Sequence, residues 1–199
     1  MSWLVSLGRW SHIRRSVVEH VRGGRVLEIG FGTGELLLEM ARRGWLACGV
    51  EVSPAMHRVT ARKLRRRGLH VRRVRARAQA LPFAAASFDA VIATFPAEYI
   101  LSSATWQEAA RVLRPPHPAT GTPGGRFIVT GLYVEIECPA LRRAARLLQG
   151  SPPPGVEQRL RRLAAAAGFH LTVFREQGGR LRSPVFVMER AEEEGACSS

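Results

Sequence analysis

Residues 26–34, Val-Leu-Glu-Ile-Gly-Phe-Gly-Thr-Gly, restrict the fold of this chain more than any other stretch. The apolar run 25–30 reads as a short buried strand that passes at once into Gly30, Gly32 and Gly34. Residues 35–43 follow as a helix, with Leu36, Leu37 and Met40 on its core face and Gly44 to stop it. Alternate glycines between a strand and a helix make a turn whose backbone a ligand can approach closely. A side chain at Gly30 or Gly32 would fill that approach. Because glycines also serve simply to bend a chain, the surrounding residues decide what this turn is for.

Strand and helix alternate through the rest of the chain. Residues 3–22 carry apolar side chains at helical spacing and end at Gly23-Gly24. Residues 45–52 read as a second strand. Ser53 is a helix cap and Pro54 a first helical residue, opening a helix to about Arg67 that Gly68 ends. Further strands are expected at 71–74, 88–94 and 126–132, with a helix at 106–113 and a Pro/Gly-rich loop at 114–125. A helix at 156–167 precedes two strands, 171–176 and 184–189, joined through Gly178-Gly179 as an antiparallel hairpin. The pattern predicts an α/β fold: a doubly wound, mostly parallel sheet of seven strands with an antiparallel C-terminal strand. One domain is expected over residues 1–190, followed by a flexible acidic tail at 191–199.

Composition narrows the setting. No apolar run approaches the roughly 18–20 residues needed to span a bilayer. Arg9, His12, Arg14 and Arg15 interrupt the N-terminus, which argues against a secretory signal. Cys48, Cys138 and Cys197 are odd in number and far apart, which fits a reduced, cytoplasmic protein. The six histidines lack ligand spacing, so no metal is expected. The formal charge of +14 invites a nucleic-acid partner. However, Lys63 is the single lysine and Asp89 the single aspartate, a skew that GC-rich coding also produces. Nucleic acid is therefore the less favoured partner, and transient contact with an acidic membrane surface is a further reading.

Glu51 ends the second strand about 21 residues after Gly30, where dinucleotide-binding folds place a ribose-binding acid. With that acid in place, the turn resembles the E-x-G-x-G-x-G signature of class I S-adenosylmethionine (SAM)-dependent methyltransferases. Two later blocks extend the resemblance. Ala78-Gln79-Ala80-Leu81-Pro82-Phe83 followed by Ser87-Phe88-Asp89-Ala90-Val91 is similar to the family's A-Q-x-L-P-F and S-F-D-x-V pattern. Ala109-Ala110-Arg111-Val112-Leu113-Arg114-Pro115, then Gly124-Gly125-Arg126, is similar to its A-R-V-L-(K/R)-P-G-G-(K/R) block. The blocks cover about residues 25–131 in order. They most resemble the small-molecule branch that includes quinone and sterol C-methyltransferases, the type 11 methyltransferases.

The resemblance implies a Rossmann-like domain, SAM as methyl donor and a small, lipophilic or quinone-like acceptor. It implies that Glu28 organises the glycine turn near the methionine end of SAM, with Gly30, Gly32 and Gly34 lining methionine and ribose. Glu51 would bind the ribose hydroxyls, Val52 and Met56 would pack near adenine, Ala78 and Gln79 would border its edge, and the Thr94 carbonyl would meet the methionine amino group. Two departures stand out. Arg77 occupies the place where the family commonly has an adenine-binding Asp, and an arginine has no acceptor for that contact. Residues 116–123 split the Pro-Gly-Gly turn, lengthening a surface loop on the face away from the cofactor.

Glu98 and Tyr99, beyond the fourth strand, are the candidates for orienting or deprotonating an acceptor, with Tyr133 and Glu135 weaker ones. The resemblance assigns acceptor selection to the N-terminal helix within 1–24 and to an insert at 133–155, which contains a basic amphipathic stretch, 139–148. The Arg-rich run 62–77 keeps open an RNA or protein methyltransferase, and Arg77 keeps open a SAM-binding module without turnover.

Overall fold

The computed structural model describes residues 16–133, 135–136, 155–175 and 181–191. Its centre is β1 (Arg25–Ile29), buried from Val26 onward. It pairs in parallel with β2 (Leu46–Val50) on one side and with β4 (Ala90–Thr94) on the other. β3 (Arg72–Val74) lies outside β2, and β5 (Arg126–Thr130) lies beyond β4, both parallel to their neighbours. The strands β7 (Phe169–Phe174) and β9 (Val185–Arg190) complete the sheet in the order β3-β2-β1-β4-β5-β9-β7. β9 runs antiparallel to both β5 and β7. This is the expected seven-stranded, mostly parallel Rossmann-like sheet with its antiparallel last strand. Strand order reverses between β1 and β4, so the crevice at their C-terminal ends is where such sheets place ligands.

Both faces of the sheet are covered because neighbouring residues of each strand point to opposite sides. Leu27 and Ile29 pack into a cluster with Trp106, Phe127 and Phe186. Val26 joins Leu36, Leu37, Ile92 and Ile128 in a second cluster on the other face. The covering helices are α1 (Glu35–Arg42), α2 (Pro54–Arg66), α3 (Ser103–Val112) and α4 (Val156–Ala166). Ser53 caps α2, its Oγ accepting the Met56 N–H at 3.4 Å with Pro54 in the first turn, as the sequence predicts.

Most differences from the predicted elements are at boundaries. α3 begins at Ser103, earlier than the expected 106, because Ser103 and Ala104 bring no apolar periodicity of their own. β4 begins at Ala90. Phe88 instead forms a single parallel bridge to Leu113. β7 starts at Phe169, directly after the Gly168 turn, so the strand sits two residues earlier than predicted. Of the predicted N-terminal helix, residues 16–19 are helical and 1–15 lie outside the described residues. The Gly178-Gly179 link, nearly all of the 133–155 insert and the tail beyond Ala191 also lie outside them. Three elements were not expected: the short 3-10 turns Glu98–Leu101 and Pro118–Thr120, and a separate two-stranded sheet in which β6 (Glu135–Ile136) and β8 (Leu181–Arg182) pair antiparallel. Among the described residues no helix is long and apolar enough to cross a membrane.

The inserted loop does lie away from the crevice. Its neck is closed by the Gly125 N–H donating to the Arg114 carbonyl at 2.9 Å, just before β5 begins. That is the opposite end of the sheet from the glycine turn.

The lone aspartate fastens the same end. Asp89 Oδ2 accepts the N–H groups of Gly24 (3.1 Å) and Arg25 (2.9 Å), and Oδ1 meets the guanidiniums of Arg25 (2.9 Å) and Arg114 (3.1 Å). A Cβ on Gly23, whose φ is +81°, would stand 2.6 Å from that carboxylate. Burial by itself would raise the Asp89 pKa, but the Arg25 guanidinium and the N–H groups outweigh it and hold it below its ordinary value. Its stabilisation is therefore present above the unfolded pKa of about 3.9 and is lost as pH falls through the folded value. Asp89→Asn should cost about 1–3 kcal/mol in urea unfolding at pH 7, and the gap to the parent should close below about pH 4. A gap that persisted at acid pH would mean that Asp89 acts through shape and not charge.

Candidate active site

The glycine turn at the end of β1 is left-handed at all three glycines, with φ of +74° at Gly30, +48° at Gly32 and +75° at Gly34. Each glycine is needed for a different reason. A Cβ on Gly30 would lie 2.8 Å from the Tyr99 hydroxyl, and one on Gly34 would lie 2.3 Å from Thr60 Cγ2. At Gly32 a Cβ would meet no protein atom within 4 Å. Gly30 and Gly34 thus make room for side chains of this chain, and the backbone at Gly32 faces open space.

Glu51 stands beside that opening. Its Oε2 accepts the Gly32 N–H at 3.1 Å and its Oε1 accepts the Ser53 N–H at 2.9 Å. The carboxylate therefore joins the glycine turn to the N-cap of α2. An ionised carboxylate offers about four acceptor positions, so about two remain for a ligand's hydroxyls. The inward face of α2 secures the same arrangement. Thr60, fully buried, donates to the Gly32 carbonyl at 3.0 Å, and Lys63 Nζ reaches the Thr33 carbonyl at 3.0 Å and Glu35 at 2.5 Å. His57 Nε2 lies 3.0 Å from the Glu51 carbonyl, and its ring meets Phe31 edge-on at 4.9 Å. The sequence reading missed Thr60, Lys63 and His57. The available signal was a threonine at a core position of an amphipathic helix, followed three residues later by the only lysine in an arginine-rich run.

The other wall is built from the end of β4. Glu28, only 2% exposed, lies beside Thr94, whose Oγ1 is 3.5 Å from Glu28 Oε1. Phe95 then adopts φ +49°, unusual for an aromatic residue, with its N–H on the Thr130 carbonyl at 2.9 Å. Gly131 is glycine because a Cβ there would stand 2.4 Å from the Phe95 ring. After this bend a 3-10 turn, Glu98–Leu101, brings Tyr99 over β1, where its hydroxyl donates to the Ile29 carbonyl at 3.1 Å. Thr105 and Trp106 of α3 hold the turn by donating to the carbonyls of Tyr99 and Ile100, each at 2.7 Å. Burial, with Glu28 and Glu51 nearby, pushes the Tyr99 pKa well above its ordinary value. Tyr99 is thus a neutral hydrogen-bond donor at physiological pH. Glu98 is exposed at the start of the turn.

The remaining predicted residues gather at the ends of β2 and β3. Val52 is 52% exposed just past β2, and Met56 is half-buried in the first turn of α2. Ala78 is buried and Gln79 half-buried in the segment after β3, where the Ala80 N–H donates to the Arg77 carbonyl at 3.1 Å. Arg77 itself is exposed. This segment is held by the later motif. Arg111 donates to the carbonyls of Leu81 (2.9 Å) and Phe83 (2.7 Å), and Glu108 accepts the Leu81 N–H at 2.6 Å. The two motifs are thus in direct contact in the fold.

Two surface clefts of about 460 and 540 Å³ lie elsewhere, around Pro115–Pro118 and around Arg25, Leu46 and Arg72, and include no residue of the glycine turn. The site is defined by backbone groups and carboxylates at the C-terminal ends of β1, β2 and β4. The glycine geometry gives a contrast. Gly32→Ala and Gly34→Ala should each incur left-handed strain of about 1–2 kcal/mol. Only the second drives a Cβ into Thr60, so urea unfolding should show Gly34→Ala as the more destabilised of the two. Equal losses would contradict the packing at Thr60.

Residues 26–116 match the methyltransferase domain family. The chain is 37% identical over 111 residues to a demethylmenaquinone methyltransferase of Thermus thermophilus, a stretch covering 53% of this chain and 46% of the relative. It is 30% identical over 164 residues to a demethylmenaquinone methyltransferase of Mycobacterium marinum, covering 75% and 65%. The chain thus spans about half to two thirds of the length of these relatives. Its fold matches the geranyl diphosphate C-methyltransferase of Streptomyces coelicolor with a TM-score of 0.69 at 15% identity, over 92% of this chain and 79% of that one. The glycine turn and Glu51 lie within the matched residues 26–116, so this part of the chain is similar to methyltransferase domains, and the strand order agrees with the fold of the solved C-methyltransferase.

Proposed function

We propose that the protein transfers the methyl group of SAM to a small, lipophilic, quinone-like acceptor. The observation that carries the donor half of this reading is the Glu51 carboxylate, fixed on the Gly32 and Ser53 N–H groups beside the open face of Gly32. Two vicinal ribose hydroxyls suit its remaining acceptor positions. Val52 and Met56 supply apolar surface for adenine, and Ala78 and Gln79 border its edge. Glu28 and Thr94 face the methionine end. SAM, when bound, supplies an electrophilic methyl group on a sulfonium, and the chain's task is to hold donor and acceptor in line and to exclude water. Tyr99, neutral and fixed over Gly30, closes the methionine side and can orient an acceptor without removing its proton. Glu98, exposed at the turn's start, is the candidate group for proton removal.

The acceptor class is supported by the demethylmenaquinone methyltransferases among the relatives and by the geranyl diphosphate C-methyltransferase among the fold neighbours. In this reading residues 1–190 form one domain with the tail 191–199 outside it. Residues 1–24 and the insert 133–155 flank the acceptor, and the protein works in the cytoplasm. Calorimetric titration with SAM should give saturable one-to-one binding. Glu51→Ala should weaken it by about 2 kcal/mol, roughly thirtyfold, through loss of charge-assisted hydrogen bonds. Unchanged affinity would place the ribose elsewhere. Incubation with SAM and demethylated quinones should then yield S-adenosylhomocysteine. SAM binding without transfer to any acceptor would favour a binding module, the reading that Arg77 supports.

A further inference from the structure

The chain's positive charge is concentrated in one segment. Residues 52–88 hold ten of its 30 Lys and Arg residues and none of its 16 Asp and Glu residues, so their formal charge is +10 against a net +14 for the whole chain. A coding bias toward arginine would spread cations along the chain and would not clear acids from one stretch. In the fold this segment forms one edge of the molecule: α2, the edge strand β3 and the chain leading to Ala78. Arg58, Arg62, Arg65 and Arg66 are exposed on α2, and Arg72, Arg75 and Arg77 are exposed along and beyond β3. Cations near the C-terminus of α2 favour its dipole. That accounts for Arg65 and Arg66 but not for Arg58, Arg62 or the arginines of the strand. The α2 arginines recur at four- and three-residue steps, making a stripe about 12 Å long on one helix face.

We propose that this edge docks the enzyme on an anionic lipid bilayer. The sheet geometry separates docking from chemistry, because β3 stands three strand spacings, about 14 Å, from β4 and the acceptor end of the crevice. Whatever binds the edge is held beside the acceptor end of the crevice and is not placed in it. The surface is also poorly made for single-stranded nucleic acid. Phe83 and Phe88, the only Phe, Tyr or Trp residues of the segment, pack against the core, with Arg72 lying over Phe83, so neither serves as an outward platform for base stacking. Guanidiniums without acidic neighbours instead suit a layer of lipid phosphates. The proposal does not depend on the identity of the methyl acceptor.

The test is co-sedimentation with vesicles of phosphatidylcholine alone, or with about a third phosphatidylglycerol, at about 0.05 and 0.5 M salt and without donor or acceptor. The parent protein should bind the anionic vesicles about tenfold or more tightly than the neutral ones, with the advantage lost at high salt. Reversing the stripe (Arg58→Glu, Arg62→Glu, Arg65→Glu, Arg66→Glu) should remove that advantage. The milder Arg58→Gln/Arg62→Gln pair, checked for an unchanged unfolding midpoint, should reduce it severalfold. Reversing Arg159 and Arg162, exposed on α4, should leave it intact. Equal binding to both vesicles, retention of binding by the stripe variants, or tighter binding to a duplex RNA oligonucleotide would overturn the proposal.

Discussion

The site depends on one carboxylate. Glu51 is held between the Gly32 N–H and the Ser53 N–H, so the end of β2, the glycine turn after β1 and the start of α2 are fixed relative to one another. Thr60 and Lys63 complete the junction by satisfying the carbonyls of Gly32 and Thr33. These left-handed glycines expose backbone groups that the turn itself cannot pair, and burying them unpaired would be costly. The protein meets this need from α2 on one side and leaves the Gly32 surface open on the other. The same bonds that stabilise the turn therefore give the candidate site its shape.

A second set of contacts sets the opposite wall. The left-handed Phe95, held by the Thr130 carbonyl and seated on Gly131, turns the chain so that Tyr99 returns over β1. The environment that keeps the Tyr99 hydroxyl protonated, burial beside Glu28 and Glu51, also makes this wall a neutral donor beside two acids. Farther away, Asp89 closes the other end of β1 with two arginines and two N–H groups. The central strand is thus fixed at both ends by carboxylates, one structural and one left with acceptor positions to spare.

The sequence made the strand-helix alternation legible because the apolar runs are short, strongly patterned and punctuated by glycine. It also marked Gly30, Gly32, Gly34 and Glu51, since a strand-turn-helix with an acid at the next strand end is a local pattern. The reasons behind the individual glycines were not local. Gly30 answers to Tyr99 and Gly34 to Thr60, residues 69 and 26 positions away, and no window of sequence holds both partners. Arg111 read as part of a motif, but its bonds to Leu81 and Phe83 appear only once α3 packs over that segment. The bend at Phe95 had no signal at all, because an aromatic residue is a poor marker of left-handed backbone. The strands β6 and β8, two residues each, are too short to show any periodicity.

The central claim is that a nucleoside ligand occupies the open face of Gly32 against Glu51. The most direct measurement is a titration of isotopically labelled protein with S-adenosylhomocysteine, followed by the backbone amide resonances. The account predicts that the amides of Gly32, Val52, Ser53 and Ala78 shift together in a saturable manner while those of Gly121 and Gly168 stay fixed. Shifts confined to residues 114–125, or none at all from a folded protein, would contradict it.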